Sequence, residues 1–164
     1  MTDIKSVCNR YPPDCHPTGV EARGSAGGMS GAQFWRTTSP RGTLALRRWP
    51  TEHPTTDRLR FIHDVINRDA SRGLNFLPAP IATRDGESFF HHAGHLWEFA
   101  PWMPGTADYE HSPNDGKLRA AMTALARFHI AVADCDNPSP LQGGAMGGLP
   151  AIPRRLIRLR ELTR

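Results

Sequence analysis

Between Gly24 and Pro50 the chain reads GSAGGMSGAQFWRTTSPRGTLALRRWP, short alternating runs set apart by glycine, proline and serine. A period of two between such breaks predicts strands, and it constrains the fold more than any other feature of the chain. The expected strands are Val20–Gly24, Gln33–Thr38 and Thr43–Trp49, joined by GGMSGA and SPRG into an antiparallel meander. Residues 1–18, with Pro12, Pro13 and Pro17, read as an irregular lead-in.

The first connection has two readings. Gly27, Gly28 and Gly31 lack the Cβ atoms that hold a backbone away from an anion, and Ser30 adds a hydroxyl, so this loop suits an approach to phosphate. The same residues also make an ordinary long hairpin loop. No Lys-Ser/Thr follows, which excludes the GxxxxGK[ST] pattern. On the third strand, Leu44 to Arg47, the period of two puts Ala45 and Arg47 on one face. A small residue there leaves room for a purine, and a cation two positions on reaches phosphate. The plain alternative is that Arg47 and Arg48 are solvated charges at a strand edge. A glycine-rich loop between antiparallel strands, followed by a cation on the third, is the protein-kinase arrangement.

Helical spacing comes next. Thr56 serves as cap, Asp57 lies in the first turn, and Leu59, Ile62, Ile66 and Ala70 recur at three and four residues until Gly73 stops the helix. Strands then return, with Asp85-Gly86 as a hairpin signal and a last run, His95–Ala100, leading into PWMPG. Ser112-Pro113 opens a second helix in which Leu118, Met122, Leu125, His129 and Val132 form one stripe. A Gly/Pro-rich loop follows. The tail PRRLIRLRELTR reads as an amphipathic helix with Leu156, Leu159 and Leu162 on one side.

The net charge of +4 suits an anionic ligand but is too mild and too dispersed for nucleic acid. No apolar run approaches the roughly 20 residues that span a bilayer, and the N-terminus has no apolar segment of a secretion signal. Three cysteines, an odd count, argue against a disulfide framework and fit a reducing cytoplasm. His91, His92 and His95 cluster, but His91 and His92 fall on opposite strand faces and no nearby Cys or carboxylate pair completes a ligand set, and Cys8, Cys15 and His16 lack a zinc spacing. His129 reads as a hydrogen-bonded core histidine, Trp97 and Trp102 as packing residues, and Asp134 and Asp136 as loop or cap residues.

The segments GGMSGAQFWR, LALRRWP, RLRFIHDVI, LPAPI, HLWEFAPWMPG and LRAAMTALARFHIA occur in an order that resembles the aminoglycoside phosphotransferase family, over about residues 19–134. They look like a bacterial subgroup of it. The resemblance implies an α+β chain with a protein-kinase-like N-terminal lobe at 19–100, an antiparallel sheet of about five strands plus one helix. Residues 101–164 would hold the hinge exit and the first helices of the C-terminal lobe. It implies that Gly27, Gly28, Ser30 and Gly31 cover a nucleotide and that Arg47 stands in place of the phosphate-binding lysine. Backbone groups of Glu98, Phe99 and Ala100 would meet the adenine edge, beside Ala45. The helix offers Asp57, Asp64 and Asp69 as carboxylate partner for Arg47, and mid-helix Asp64 is the expected one.

ATP is the implied cofactor. A small-molecule hydroxyl is the implied acceptor in a full-length relative, and Mg²⁺ is expected only there. The family's His-Gly-Asp catalytic loop and its metal-binding aspartate have no counterpart in the sequence. Phosphoryl transfer depends on both, so the chain is expected to be an N-terminal portion that binds nucleotide without transferring phosphate. The alternative is a non-catalytic nucleotide-binding or protein-interaction module.

Overall fold

Two kinds of sequence period, two and about 3.6, resolve into one antiparallel sheet and the helices around it. The computed structural model describes residues 4–25 and 30–133. Its elements in chain order are α1 (Ile4–Cys8), β1 (Gly19–Gly24), β2 (Gln33–Ser39), β3 (Gly42–Arg48), α2 (Thr56–Ser71), β4 (Phe90–His92), β5 (His95–Pro101) and α3 (Asp115–Ala133), with a 3-10 turn at Pro13–Cys15. The chain is α+β, and its five strands run antiparallel in the order β1-β2-β3-β5-β4. The expected meander is present almost residue for residue. SPRG closes β2 onto β3 by pairing Ser39 with Gly42, whose φ of 119° glycine tolerates and other residues resist.

Alternation gives the sheet two unlike faces. Leu44 and Leu46 of β3 and Trp97 and Phe99 of β5 point to one side, where Val7, Cys8, Tyr11, Cys15 and Ile81 cover them. Tyr11 is edge-on to Phe99 at 4.8 Å and to Phe90 at 5.9 Å, and its hydroxyl accepts a hydrogen bond from the Phe99 amide at 3.1 Å. The lead-in is therefore not irregular padding. Ile4, Val7, Cys8 and Tyr11 carry the i, i+3, i+4, i+7 spacing of an amphipathic turn, a signal that the nearby prolines mask.

The other face receives α2. Leu59 packs with Phe89 and Leu96, and Trp49 closes over them. The helix is capped by Thr55, one residue before the expected cap, whose hydroxyl accepts from the Arg58 amide at 3.3 Å. Thr56 instead meets His91 Nε2 at 3.1 Å. Gly73, at φ 94°, turns the chain away as expected.

Two other expectations change. Asp85-Gly86 makes a tight turn, with Thr83 donating to the Glu87 carbonyl at 2.8 Å, but no strands flank it. The preceding segment holds Pro78 and Pro80, which have no amides to give a ladder. It joins β5 through the Ile81 amide, 2.8 Å from the Phe99 carbonyl. The strand hairpin closes at Ala93-Gly94, both with positive φ, which joins β4 to β5. In α3, capped by Asn114, the anticipated stripe is largely uncovered: Leu118 is 47% exposed, Met122 55% and Leu125 45%. His129 is exposed too, and is no core histidine. Asp134, Asp136 and the basic tail lie outside the described residues. No helix among the described residues is long and apolar enough to cross a membrane.

Candidate functional site

The site grows from the register of β3 on β5. Arg47 pairs with Glu98 and Ala45 with Ala100, so these four side chains share the face opposite the Leu46–Trp97 core. The Arg47 guanidinium meets Glu98 across the ladder, Nη1 to Oε1 at 2.8 Å. It lies between the rings of Phe34 and Trp49, at 4.7 and 4.8 Å from their centroids. Phe34 is its cross-strand neighbour on β2, and Trp49 follows two residues along the chain. Each stacked cation contributes on the order of 0.5–2 kcal/mol, more as water is excluded.

Glu98 is the most constrained charged group on this face, at 4% exposure. Its second oxygen, Oε2, accepts from His63 Nε2 of α2 at 2.8 Å and from Trp49 Nε1 at 3.0 Å. Burial alone would push its carboxyl up. The hydrogen bond from His63, the Arg47 charge and the Trp49 indole outweigh that, and hold it below the usual glutamate range. His63 is itself tied at Nδ1 to Ser88 Oγ at 2.8 Å. The result is a line of contacts, Ser88–His63–Glu98–Arg47, running from behind α2 to the sheet.

Arg47 ends that line at the wall of a cleft. Its volume is about 620 Å³, and Ala45, Arg47, Glu98 and Ala100 form the sheet side. Leu59, Ile62, His63 and Ile66 form the helix side, and the chain from Pro101 to Ala107 runs along the mouth. That volume lies in the range of small-molecule sites, about 300–1,000 Å³. Ala45 and Ala100 are small where the wall must be flat. The Arg47 side chain stays 31% exposed, so its charge remains accessible.

The residues singled out from sequence divide. Ala45, Arg47, Glu98 and Ala100 come together in the cleft. Asp64 does not: it is exposed on α2, and the carboxylate paired with Arg47 is Glu98. The reason is angular. Inward positions on α2 follow Leu59 by four, which places His63 toward the sheet and turns Asp64 about 100° away. Phe99 is also elsewhere. Its ring is in the opposite core, and its amide and carbonyl are taken by Tyr11 Oη and the Ile81 amide. The flanking bonds, Trp49 N to Leu96 O and Trp102 N to Thr43 O, set the alternation so that Glu98 and Ala100 spend their amides on Arg47 and Ala45. The backbone of this strand is committed to the sheet, and an adenine edge would have to be met beyond Pro101.

Of the glycine-rich loop, Gly27 and Gly28 lie outside the described residues. Ser30 and Gly31 end it beside β2. Gly31 adopts φ 70° and lines a separate recess of about 210 Å³ with Gln33, Pro50 and His95. The Ser30 carbonyl contacts His53 Nε2 at 2.8 Å, which ties the loop end to the segment after β3. The Ser30 hydroxyl accepts from the Ala32 amide at 3.4 Å, an internal use that differs from a donor offered to ligand.

Sequence reasoning missed His63 and the carboxylate role of Glu98. The signal was available: His63 stands four after Leu59, and Glu98 is an acid inside an otherwise apolar strand, HLWEFA. Trp97 packs as expected, stacked on Trp35 at 5.4 Å, whereas Trp102 lines the cleft beneath the guanidinium of Arg36 at 5.4 Å. Among the described residues no three His, Cys, Asp or Glu side chains gather as a metal site, and Cys8 and Cys15 are buried thiols outside any disulfide.

The profile of the phosphotransferase enzyme family matches residues 21–161, most of the chain. No curated protein matches it.

Proposed function

Because the chain belongs to the phosphotransferase enzyme family, we propose that its cleft is the donor-nucleotide half of a phosphoryl-transfer site, with ATP as donor. The observation that carries this reading is the Ala45–Arg47 pair on one face of β3, with Arg47 held by Glu98 at 2.8 Å at the cleft wall. The base lies against Ala45 and Ala100, and its edge is read by the segment after Pro101. The phosphates lie toward Arg47, whose planar fork suits two phosphate oxygens at once. The glycine-rich loop, Gly27 to Gly31, is the segment whose composition suits a cover for them.

When bound, the triphosphate supplies the transferable phosphoryl group. The chain's own residues bind and orient it: Arg47 neutralises phosphate charge, the Phe34 and Trp49 rings hold the guanidinium in plane, and α2 closes the back of the cleft. Orienting an acceptor hydroxyl and holding Mg²⁺ are separate requirements of the reaction. The described residues gather no metal set, and the sequence holds no His-Gly-Asp triplet. We therefore propose that residues 1–164 bind nucleotide without transferring phosphate, with 19–100 as the nucleotide lobe and 101–164 as the hinge exit and residues of a second lobe. The odd cysteine count, three, supports a reducing, cytoplasmic setting.

A second reading, a protein-interaction module, is favoured by the exposed Leu118–Met122–Leu125 stripe of α3. Thermal unfolding of the chain with millimolar ATP separates the two. At about 100 times its dissociation constant ATP stabilises the fold by roughly 2.7 kcal/mol, and Arg47→Ala removes most of that gain. A folded chain whose melting point ignores ATP leaves the interaction reading in possession.

A further inference from the structure

We infer that His63 is a positioning residue for the phosphate-facing arginine: from α2 it fixes Glu98, and through Glu98 it aims the Arg47 guanidinium into the cleft. The inference rests on the nucleotide reading above and deepens it by naming what sets the direction of the phosphate contact.

Stacking cannot set that direction. The Phe34 and Trp49 rings, 4.7 and 4.8 Å from the guanidinium carbon, fix the plane of the group. They leave it free to turn within that plane, because a ring face offers no directional acceptor. The in-plane direction comes from Glu98 Oε1, 2.8 Å from Nη1. Glu98 in turn has to be held, and its other oxygen is the handle. Oε2 takes His63 Nε2 at 2.8 Å and Trp49 Nε1 at 3.0 Å. A carboxylate only accepts, so Nε2 carries the hydrogen, and the Ser88 hydroxyl, 2.8 Å from Nδ1, holds the ring in that orientation.

Removing the Nε2–H leaves Oε2 with the indole alone, in a site where Glu98 is 4% exposed and water is a poor substitute. The carboxylate then rotates toward whichever donor remains, and the arginine fork follows it. The helix here contributes a donor and the cross-strand neighbour of the arginine contributes the acid. As a result α2 governs Arg47 at one remove, through a hydrogen bond that a histidine can make and an outward Asp64 cannot.

The test is calorimetric titration of the full chain with ATP and, separately, with adenosine, so that the ratio of the two affinities reads the phosphate contact. In the wild type ATP binds more tightly, and Arg47→Ala collapses the ratio. His63→Leu is expected to lower the ratio of ATP to adenosine affinity about tenfold. His63→Gln, whose amide can donate to Oε2, restores most of the ratio. In an Arg47→Ala background His63→Leu costs nothing further, because the two act in series. Should His63→Leu not fold, His63→Asn, an amide too short to reach Oε2, takes its place with the same expected loss.

A folded His63 variant that keeps the wild-type ratio overturns the inference, as does one that loses ATP and adenosine equally or adds its loss to that of Arg47→Ala. Those outcomes leave the nucleotide reading standing. A wild-type chain that binds neither ligand removes that reading, and the inference with it.

Discussion

The two faces of the sheet are built from alternate residues of the same strands, yet they solve opposite problems. On one, Leu44, Leu46, Trp97 and Phe99 are sealed beneath the α1 segment, with Tyr11 spending its hydroxyl on a backbone amide. On the other, Ala45, Arg47, Glu98 and Ala100 border an open cleft, and a buried carboxylate is kept charged by three donors. Each β3 residue serves one task and its neighbour the other. Stability is concentrated on the first face, and orientation on the second.

That division predicts a large asymmetry. Trp97 is fully buried, stacked on Trp35, and its indole N–H donates to the His92 carbonyl at 3.1 Å. Trp97→Ala is expected to cost about 3–5 kcal/mol, read from urea unfolding at neutral pH. A cost under about 1 kcal/mol would mean that the sealed face is not where the fold gains its stability.

Glu98→Gln probes the second face with a smaller effect and a distinctive pH dependence. Its carboxyl is held below the usual glutamate range by His63, Arg47 and Trp49 against the opposing effect of burial. A lowered folded value means that the stabilisation is fully present above the unfolded value, about 4.3, and is lost as pH falls through the folded one. The substitution should therefore cost about 1–3 kcal/mol at pH 7 and progressively less as pH falls through the folded value, where wild-type Glu98 itself becomes neutral. Unfolding curves of both proteins across that range give the difference directly. A gap that stays constant with pH would mean that Glu98 contributes by shape and not by charge.

The strands β1 to β3, the helix α2 and the Ala45–Arg47 placement were legible because each depends on a short-range period. Alternation alone puts Ala45 and Arg47 on one face, whatever the rest of the chain does. The carboxylate partner was not legible, because it depends on the register of β5 against β3, a pairing across more than fifty residues that no local pattern encodes. The α1 segment carried its spacing in plain view, but Pro12, Pro13 and Pro17 suggested a loop. Asp85-Gly86 formed its turn and lacked strands because the segment before it, with Pro78 and Pro80, cannot supply a ladder.

The smallest expected effect sharpens the same point. Asp64 is the acid that a helix-borne carboxylate partner would require, and His63 is its immediate neighbour. If Arg47 drew on Asp64, then Asp64→Ala would leave a charged guanidinium without its partner, and both stability and ATP affinity would fall together. The structure gives that partner as Glu98 and leaves Asp64 exposed. Asp64→Ala is therefore expected to change stability by no more than about 0.5 kcal/mol, with the ATP-to-adenosine affinity ratio intact. The two adjacent positions, 63 and 64, thus form an internal control on one helix: same backbone, one residue apart along the axis, directions about 100° apart. A loss of ATP affinity at 64 equal to that at 63 would show that α2 is rotated when nucleotide is bound, and would transfer the acid's role from β5 back to the helix.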